Sequence, residues 1–483
     1  MVKKLFTPYF LIVGILLVLS LVLRFHRYAE FPVGGETRDE YAWTMLGASL
    51  IQEGEPISWS YFKSYKPFRE MDLAGQNYPI VRPSLDHPPL FSLVPGLTHT
   101  LAGHSWEEAA SLKVIRFPMI VLAGVNFILL AVYLHLLSDN KFKKLLALAL
   151  FATVPTWVFG SRLVVSENVL TMWFLIVGIC ILKFMQYDQG LDKSFINKIV
   201  SLFQRKNKVF IKNQSVLLVI ISLISALAIL TKISGIMLPF TIILYALMQR
   251  KYKLAVAGTI GTCVGVILFM LYGYVYDWGI FVSIFTEQSA RDIGLATLQN
   301  RFFLHPAVVN RLLVDGWMIV ALFAIFAVHS GNSKNLLYSK IVTLSQLLFI
   351  ALSVGEKTFH GWYVYSLFPF FAIFLSWWLH ELFEQKKFVT FWLFWLFVLP
   401  VIKILQSHVP LDLSPLFIRL IILVGGIPLG LSILFPNNLK YAQKALLALV
   451  GVLLIINMFI VFNFEMTEYW IDDEYFLPKV VVK

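Results

Sequence analysis

Runs of about 20 apolar residues recur from Leu5 to Phe464, with no long polar block between them. A helix of that length matches the hydrocarbon thickness of a bilayer, and a chain built this way cannot cover itself for water. About thirteen runs can be counted, centred near residues 15, 125, 152, 175, 223, 242, 265, 322, 346, 372, 396, 425 and 453. Only 14% of the 483 residues are charged, whereas soluble domains carry about 25%. The expectation is therefore one all-α polytopic membrane domain over residues 1–464, closed by a short tail, 465–483. Met1 to Lys4 precede the first run with no small-residue cleavage site before Arg24, His26 and Arg27, which reads as a retained anchor.

The formal net charge is +12. In a soluble chain that excess would point to nucleic acid, but here its placement matters more. Lys141, Lys143 and Lys144; Lys193 to Lys212; Arg250, Lys251 and Lys253; Lys334 and Lys340; Lys386 and Lys387; and Lys440 and Lys444 fall in alternate connections. Cytoplasmic loops carry such an excess, so the N-terminus and these connections are expected inside, the tail outside, and no nucleic acid as partner. Cys180 and Cys263 both lie inside apolar runs, which leaves no disulfide framework or CxxC metal site.

The same topology puts the long outer loops at about 26–112 and 277–314, the second carrying Glu287, Arg291, Asp292, Arg301, His305 and Arg311, with a smaller segment at 355–363 that holds Glu356, Lys357 and His360. The first holds Gly and Pro breakers around a helical stretch from Asp39 to Glu53. Asp39 and Glu40 are adjacent on that helix, about 100° apart, so only one can face a given cleft. Either acid also suits the positive end of a short helix without any chemistry. Further on, Arg82-Pro-Ser-Leu-Asp86-His87-Pro88-Pro89-Leu90 sets a titratable ring ahead of a doubled proline, which holds His87 extended; an interfacial turn with a surface histidine explains it equally.

Thr231-Lys232-Ile-Ser234-Gly235 interrupts an apolar stretch, and Lys232 can snorkel there. Arg116 and Arg162 allow the same explanation, and Glu167 can serve a helix start. Trp362, Tyr363 and Tyr365 suit an interfacial belt, or a tyrosine can donate to an anionic headgroup. Taken together, Asp39, His87, Arg116, Arg162, Lys232 and Tyr363 fall on one side of the membrane. An acid among cations there fits an anionic lipid headgroup with a proton to move, and Asp39, His87, Lys232 and Tyr363 are expected to enclose one cavity.

In their order these pieces resemble the GT-C class of membrane glycosyltransferases, in the branch with the protein O-mannosyltransferases and the lipid A aminoarabinose transferase. The pieces are Asp39-Glu40 with Gly54 after the helix, Asp86-His87-Pro88-Pro89-Leu90, Gly103 with Arg116-Phe-Pro118, Ser161-Arg162 with Glu167, Leu230-Thr231-Lys232, and Tyr363 six residues before Pro369. The resemblance implies a GT-C fold and an inverting transfer of sugar from a polyprenyl-phosphate donor to a hydroxyl of a protein, lipid or glycan. It makes Asp39 the general base and sets His87 and Tyr363 at the donor phosphate. Glu36-Thr37-Arg38 offers a rival register for the acidic motif, and the distance to Gly54 favours Asp39. The family often has Asp where this chain has Glu167, and relatives with a large C-terminal soluble domain are longer.

The chemistry needs a deprotonated acceptor, which Asp39 can supply. It also needs cations preorganised at the leaving phosphate: His87, Lys232, Arg116 or Arg291. Glu40, Asp86 and Glu167 are supporting acids. Carboxylates beside a phosphate can hold Mg²⁺ or Mn²⁺, but no dense ligand set is visible, so metal-independent transfer is favoured and no cofactor is assigned. A transporter or flippase would place charges mid-span and show paired repeats; this chain gathers its polar groups in outer loops. A non-catalytic subunit that binds a polyprenyl-linked glycolipid is the third reading, and it predicts that Asp39→Asn is harmless.

Overall fold

The computed structural model describes residues 8–33, 37–73, 77–188, 214–290, 315–329, 334–353, 361–407, 409, 411 and 413–465. It is mostly helical; twelve of the apolar centres counted above fall on a helix, and the one near 425 falls on the break between Pro415–Val424 and Ile427–Leu434. Among the described residues eight helices are long and apolar enough to cross a membrane, or nine if the pair Pro415–Val424 and Ile427–Leu434, bent by 47°, counts as one. Three further apolar helices are shorter: Ile233–Met248, Trp317–Val328 and Leu337–Ser353. The run near 152 is divided into two helices, Lys141–Thr153 and Pro155–Gly160, because proline has no N–H for the preceding turn and starts a new helix instead. Thirteen uninterrupted spans is therefore more than these lengths support. The chain is a multi-pass membrane protein with broken and shortened elements among its spans.

The helices that carry the site come early in the chain. They are α1 (Pro8–Phe25), α2 (Asp39–Gln52), α3 (Leu93–Leu101), α4 (Leu112–Leu137), α5 (Lys141–Thr153), α6 (Pro155–Gly160), α7 (Ser166–Asp188), α8 (Gln214–Thr231), α9 (Met237–Met248) and α10 (Tyr252–Ser289). The helix expected at 39–53 thus ends at Gln52, where Gly54 takes φ +73°, a left-handed turn that glycine adopts without steric cost.

The first loop is not purely helical, which corrects the all-α expectation. Strands β1 (Ser58–Trp59), β2 (Arg69–Asp72) and β3 (Asn77–Val81) form an antiparallel sheet in the order β1-β3-β2. Pro79 within β3 argues against a central strand in sequence. The structure accommodates it because β1 pairs with β3 only through Ser58–Val81 and Trp59–Ile80. The Pro79 carbonyl still accepts from Ser60 N at 3.2 Å.

One contact holds the loop together and a second binds it to a span. Helices α2 and α3 cross at Gly47 and Gly96; a Cβ on Gly47 would stand 1.8 Å from the Ser92 carbonyl oxygen, so the backbones meet where no side chain fits. The second outer loop was expected from Asp277 onward, but α10 continues to Ser289 through a single non-helical residue, Asp277 (φ −167°, ψ 104°). Asp277 Oδ1 accepts from Ile280 N at 2.9 Å, capping the helical segment beyond the kink. The helix lies along the first loop on both sides of the kink: Tyr276 donates to the Gly54 carbonyl at 2.9 Å and Gln288 Nε2 to that of Asp86 at 3.0 Å.

Candidate functional site

Beside the first loop lies a cavity of about 490 Å³, lined among others by Asp39, His87, Asp86, Lys232, Glu287 and Tyr363. Each arrives by a different local cause. Asp39 occupies the first turn of α2, and its N–H donates to Thr37 Oγ1 at 3.2 Å. The neighbouring acid points elsewhere, as the helical turn requires. Glu40 is fully buried, taking Arg116 Nε at 2.8 Å, Arg116 Nη2 at 2.7 Å and Val164 N at 3.0 Å. Arg116 also donates to the carbonyls of Tyr28 (3.1 Å) and Pro32 (2.6 Å).

Arg116, expected at a headgroup, is instead completely buried and does not line the cavity. A planar guanidinium with five donors is well matched to one carboxylate and two carbonyls, so it joins α2, α4 and the link after α1. Arg162 has a related use, donating to the Leu23 and Phe31 carbonyls at 2.6 and 2.8 Å. Arg82 pairs with Glu55 at the exposed surface, outside the cavity wall. Arg291 lies outside the described residues, as do the other charges expected at 291–314 and at 355–360.

Lys232 stands in the link between α8 and the 3-10 turn Ile233–Ile236. Its ammonium donates to Glu167 Oε1 at 2.5 Å and lies 4.6 Å from the centre of the Tyr363 ring. The charge is compensated where it stands, by the buried Glu167 carboxylate and the negative face of the Tyr363 ring. The lysine is therefore a fixed cation. Glu167, which the sequence offered as a helix-start acid, is its buried partner. Tyr363 comes from the 3-10 helix Gly361–Leu367, which leads into a span.

The doubled-proline turn reaches the same place by a backbone hydrogen bond. Leu90 N donates to the Leu230 carbonyl at 3.2 Å, fixing the turn against the end of α8, two residues before Lys232. The His87 ring packs on Trp43 with centroids 4.6 Å apart. Tyr65 donates to Asp86 Oδ1 at 2.6 Å and accepts from Leu85 N at 2.7 Å. Burial, together with the Asp86 carboxylate, pushes the Tyr65 hydroxyl well above its usual pKa, so it stays a donor.

Several wall residues were given no role from sequence. Glu287, in the last turn of α10, accepts from Lys63 N (3.1 Å), Ser64 N (3.2 Å) and Ser64 Oγ (2.9 Å). Ser58 to Phe62, on and after β1, form a continuous part of the lining. Among the described residues no group of three or more His, Cys, Asp or Glu side chains is arranged to hold a metal ion.

No family model matches the chain, and no curated protein matches it in sequence. Solved structures similar in shape at low identity include the following two. One is the crystal structure of ArnT from Cupriavidus metallidurans bound to undecaprenyl phosphate, with 14% identity and a TM-score of 0.47, over 94% of this chain and 76% of that one. The other is the archaeal oligosaccharyltransferase AglB from Archaeoglobus fulgidus, in complex with an inhibitory peptide and a dolichol-phosphate. It has 12% identity and a TM-score of 0.47, over 95% of this chain but 56% of that one.

Proposed function

We propose that this chain is an inverting membrane glycosyltransferase of the GT-C type, taking its sugar from a polyprenyl-phosphate donor and passing it to a hydroxyl acceptor. The observation that carries the reading is that Asp39, His87, Lys232 and Tyr363, far apart in sequence, line one cavity. The basic connections support a cytoplasmic N-terminus with the cavity on the extracytoplasmic side, residues 1–464 acting as one catalytic membrane domain with the tail 465–483 outside.

In this mechanism the donor phosphate lies against Lys232, Tyr363 and His87. Lysine has three N–H donors and Glu167 takes one, so the ammonium can serve buried acid and phosphate together. Asp39 removes the proton of the acceptor hydroxyl as that oxygen attacks the anomeric carbon. The bond from that carbon to the phosphate oxygen breaks, and the polyprenyl phosphate leaves with the electron pair, its charge met by preorganised donors. A single displacement inverts the anomeric centre. The apolar tail lies among the spans.

Binding of polyprenyl phosphate tests the headgroup assignment. Lys232→Met alone would leave Glu167 buried without its counter-ion, so it is combined with Glu167→Gln to remove both charges. The double variant should fold and bind polyprenyl phosphate about 10- to 100-fold more weakly, the scale of a hydrogen bond to a charged group, by titration in native mass spectrometry. Unchanged affinity in a folded double variant removes Lys232 from the phosphate site.

A further inference from the structure

The cavity has a wall that the transfer chemistry above leaves unused. Trp59 and Tyr61 both line it, their ring centres 5.4 Å apart. Behind them is Tyr78, 2% exposed, at 5.1 Å from Trp59 and 6.2 Å from Tyr61. Tyr78 is itself covered by the Arg38 guanidinium at 5.3 Å. The two outer rings thus rest on a buried one in the small sheet, while Tyr61 is 61% exposed. The same cavity presents the carboxylates of Asp86 and Glu287. Loop aromatics, backed by a rigid layer and edged by acids, are distinct from Lys232 and Tyr363, which stand at the ends of apolar helices.

Resting on the transferase reading, we propose that Trp59 and Tyr61 form a platform for a sugar ring of the acceptor, so that the hydroxyl glycosylated belongs to a saccharide. A pyranose has a face of C–H bonds that suits the negative face of an aromatic ring, and hydroxyls around its edge that carboxylates accept from. The platform stands on the loop sheet, away from the residues assigned to the donor phosphate, so it meets the substrate that arrives from the water side.

Saturation-transfer NMR on the full chain in lipid nanodiscs tests this without turnover. The probes are a panel of trisaccharides, supplied free in one arm and carried on an alkyl chain in the other. Wild type and Asp39→Asn should both transfer saturation to the ring C–H protons of at least one sugar. Trp59→Leu with Tyr61→Leu should weaken that contact about fivefold to tenfold, the scale of an aromatic contact, and Trp59→Phe should largely keep it. The stronger arm separates a soluble glycan from a glycolipid head. No contact with any sugar in wild type, or equal contact in the double leucine variant, overturns the platform. A platform that binds sugar normally while no polyprenyl-phosphate donor is turned over would instead count against the transferase reading alone.

Discussion

Asp39→Asn is expected to lower turnover by about 10²- to 10⁴-fold, the range over which a positioned general base contributes, with donor affinity retained. The amide has the shape of the carboxylate but cannot take the acceptor's proton. Its position should also survive, because α2 is oriented by Glu40 and Arg116 rather than by Asp39 itself. Transfer kinetics and equilibrium binding of a polyprenyl-phosphate sugar, measured on the same preparation, separate the two quantities. Intact transfer would favour a transporter or a non-catalytic subunit. Loss of binding together with transfer would make Asp39 a binding residue.

Arg116→Leu is expected to be the most damaging change to the fold. It leaves the fully buried Glu40 carboxylate with only Val164 N among the donors described above, and breaking one side of a buried pair costs about 3–5 kcal/mol. The guanidinium also satisfies the Tyr28 and Pro32 carbonyls, so the link from α1 to α2 loosens with it. Thermal unfolding of the purified variant should show a markedly lower Tm and less monodisperse protein. Adding Glu40→Gln should recover part of the loss by removing the uncompensated charge. A variant as stable as wild type would mean that the pair contributes nothing to holding α2.

Periodicity and punctuation made much of this legible in sequence. The apolar runs fall on helices because burial in lipid demands internally satisfied backbone, and α2 ends within one residue of the expected place because Gly54 terminates it. That Asp39 and Glu40 point apart followed from about 100° per residue; which of them faces the cavity did not. The contacts themselves were not legible. Glu167 and Lys232 each look like ordinary end-of-helix charges, and their pairing depends on how α7 and α8 lie in three dimensions. Arg116 has the residue type of a phosphate ligand, but no sequence pattern says that Glu40 will claim it. The sheet escaped notice because its strands are two to five residues long, with Pro79 inside one of them. Glu287 was read as part of a loop since nothing in sequence shows that Asp277 would cap a new helical segment and carry it back to the first loop.

The most direct test is incubation of the purified chain with a panel of polyprenyl-phosphate sugars and a saccharide acceptor, with NMR of the product to read its anomeric configuration. The mechanism expects one donor to be consumed, free polyprenyl phosphate to appear, and the new glycosidic bond to have the opposite configuration to the donor's. A product that retains the donor's configuration contradicts the single displacement through Asp39, and a chain that binds these donors yet releases sugar from none of them contradicts the transferase itself.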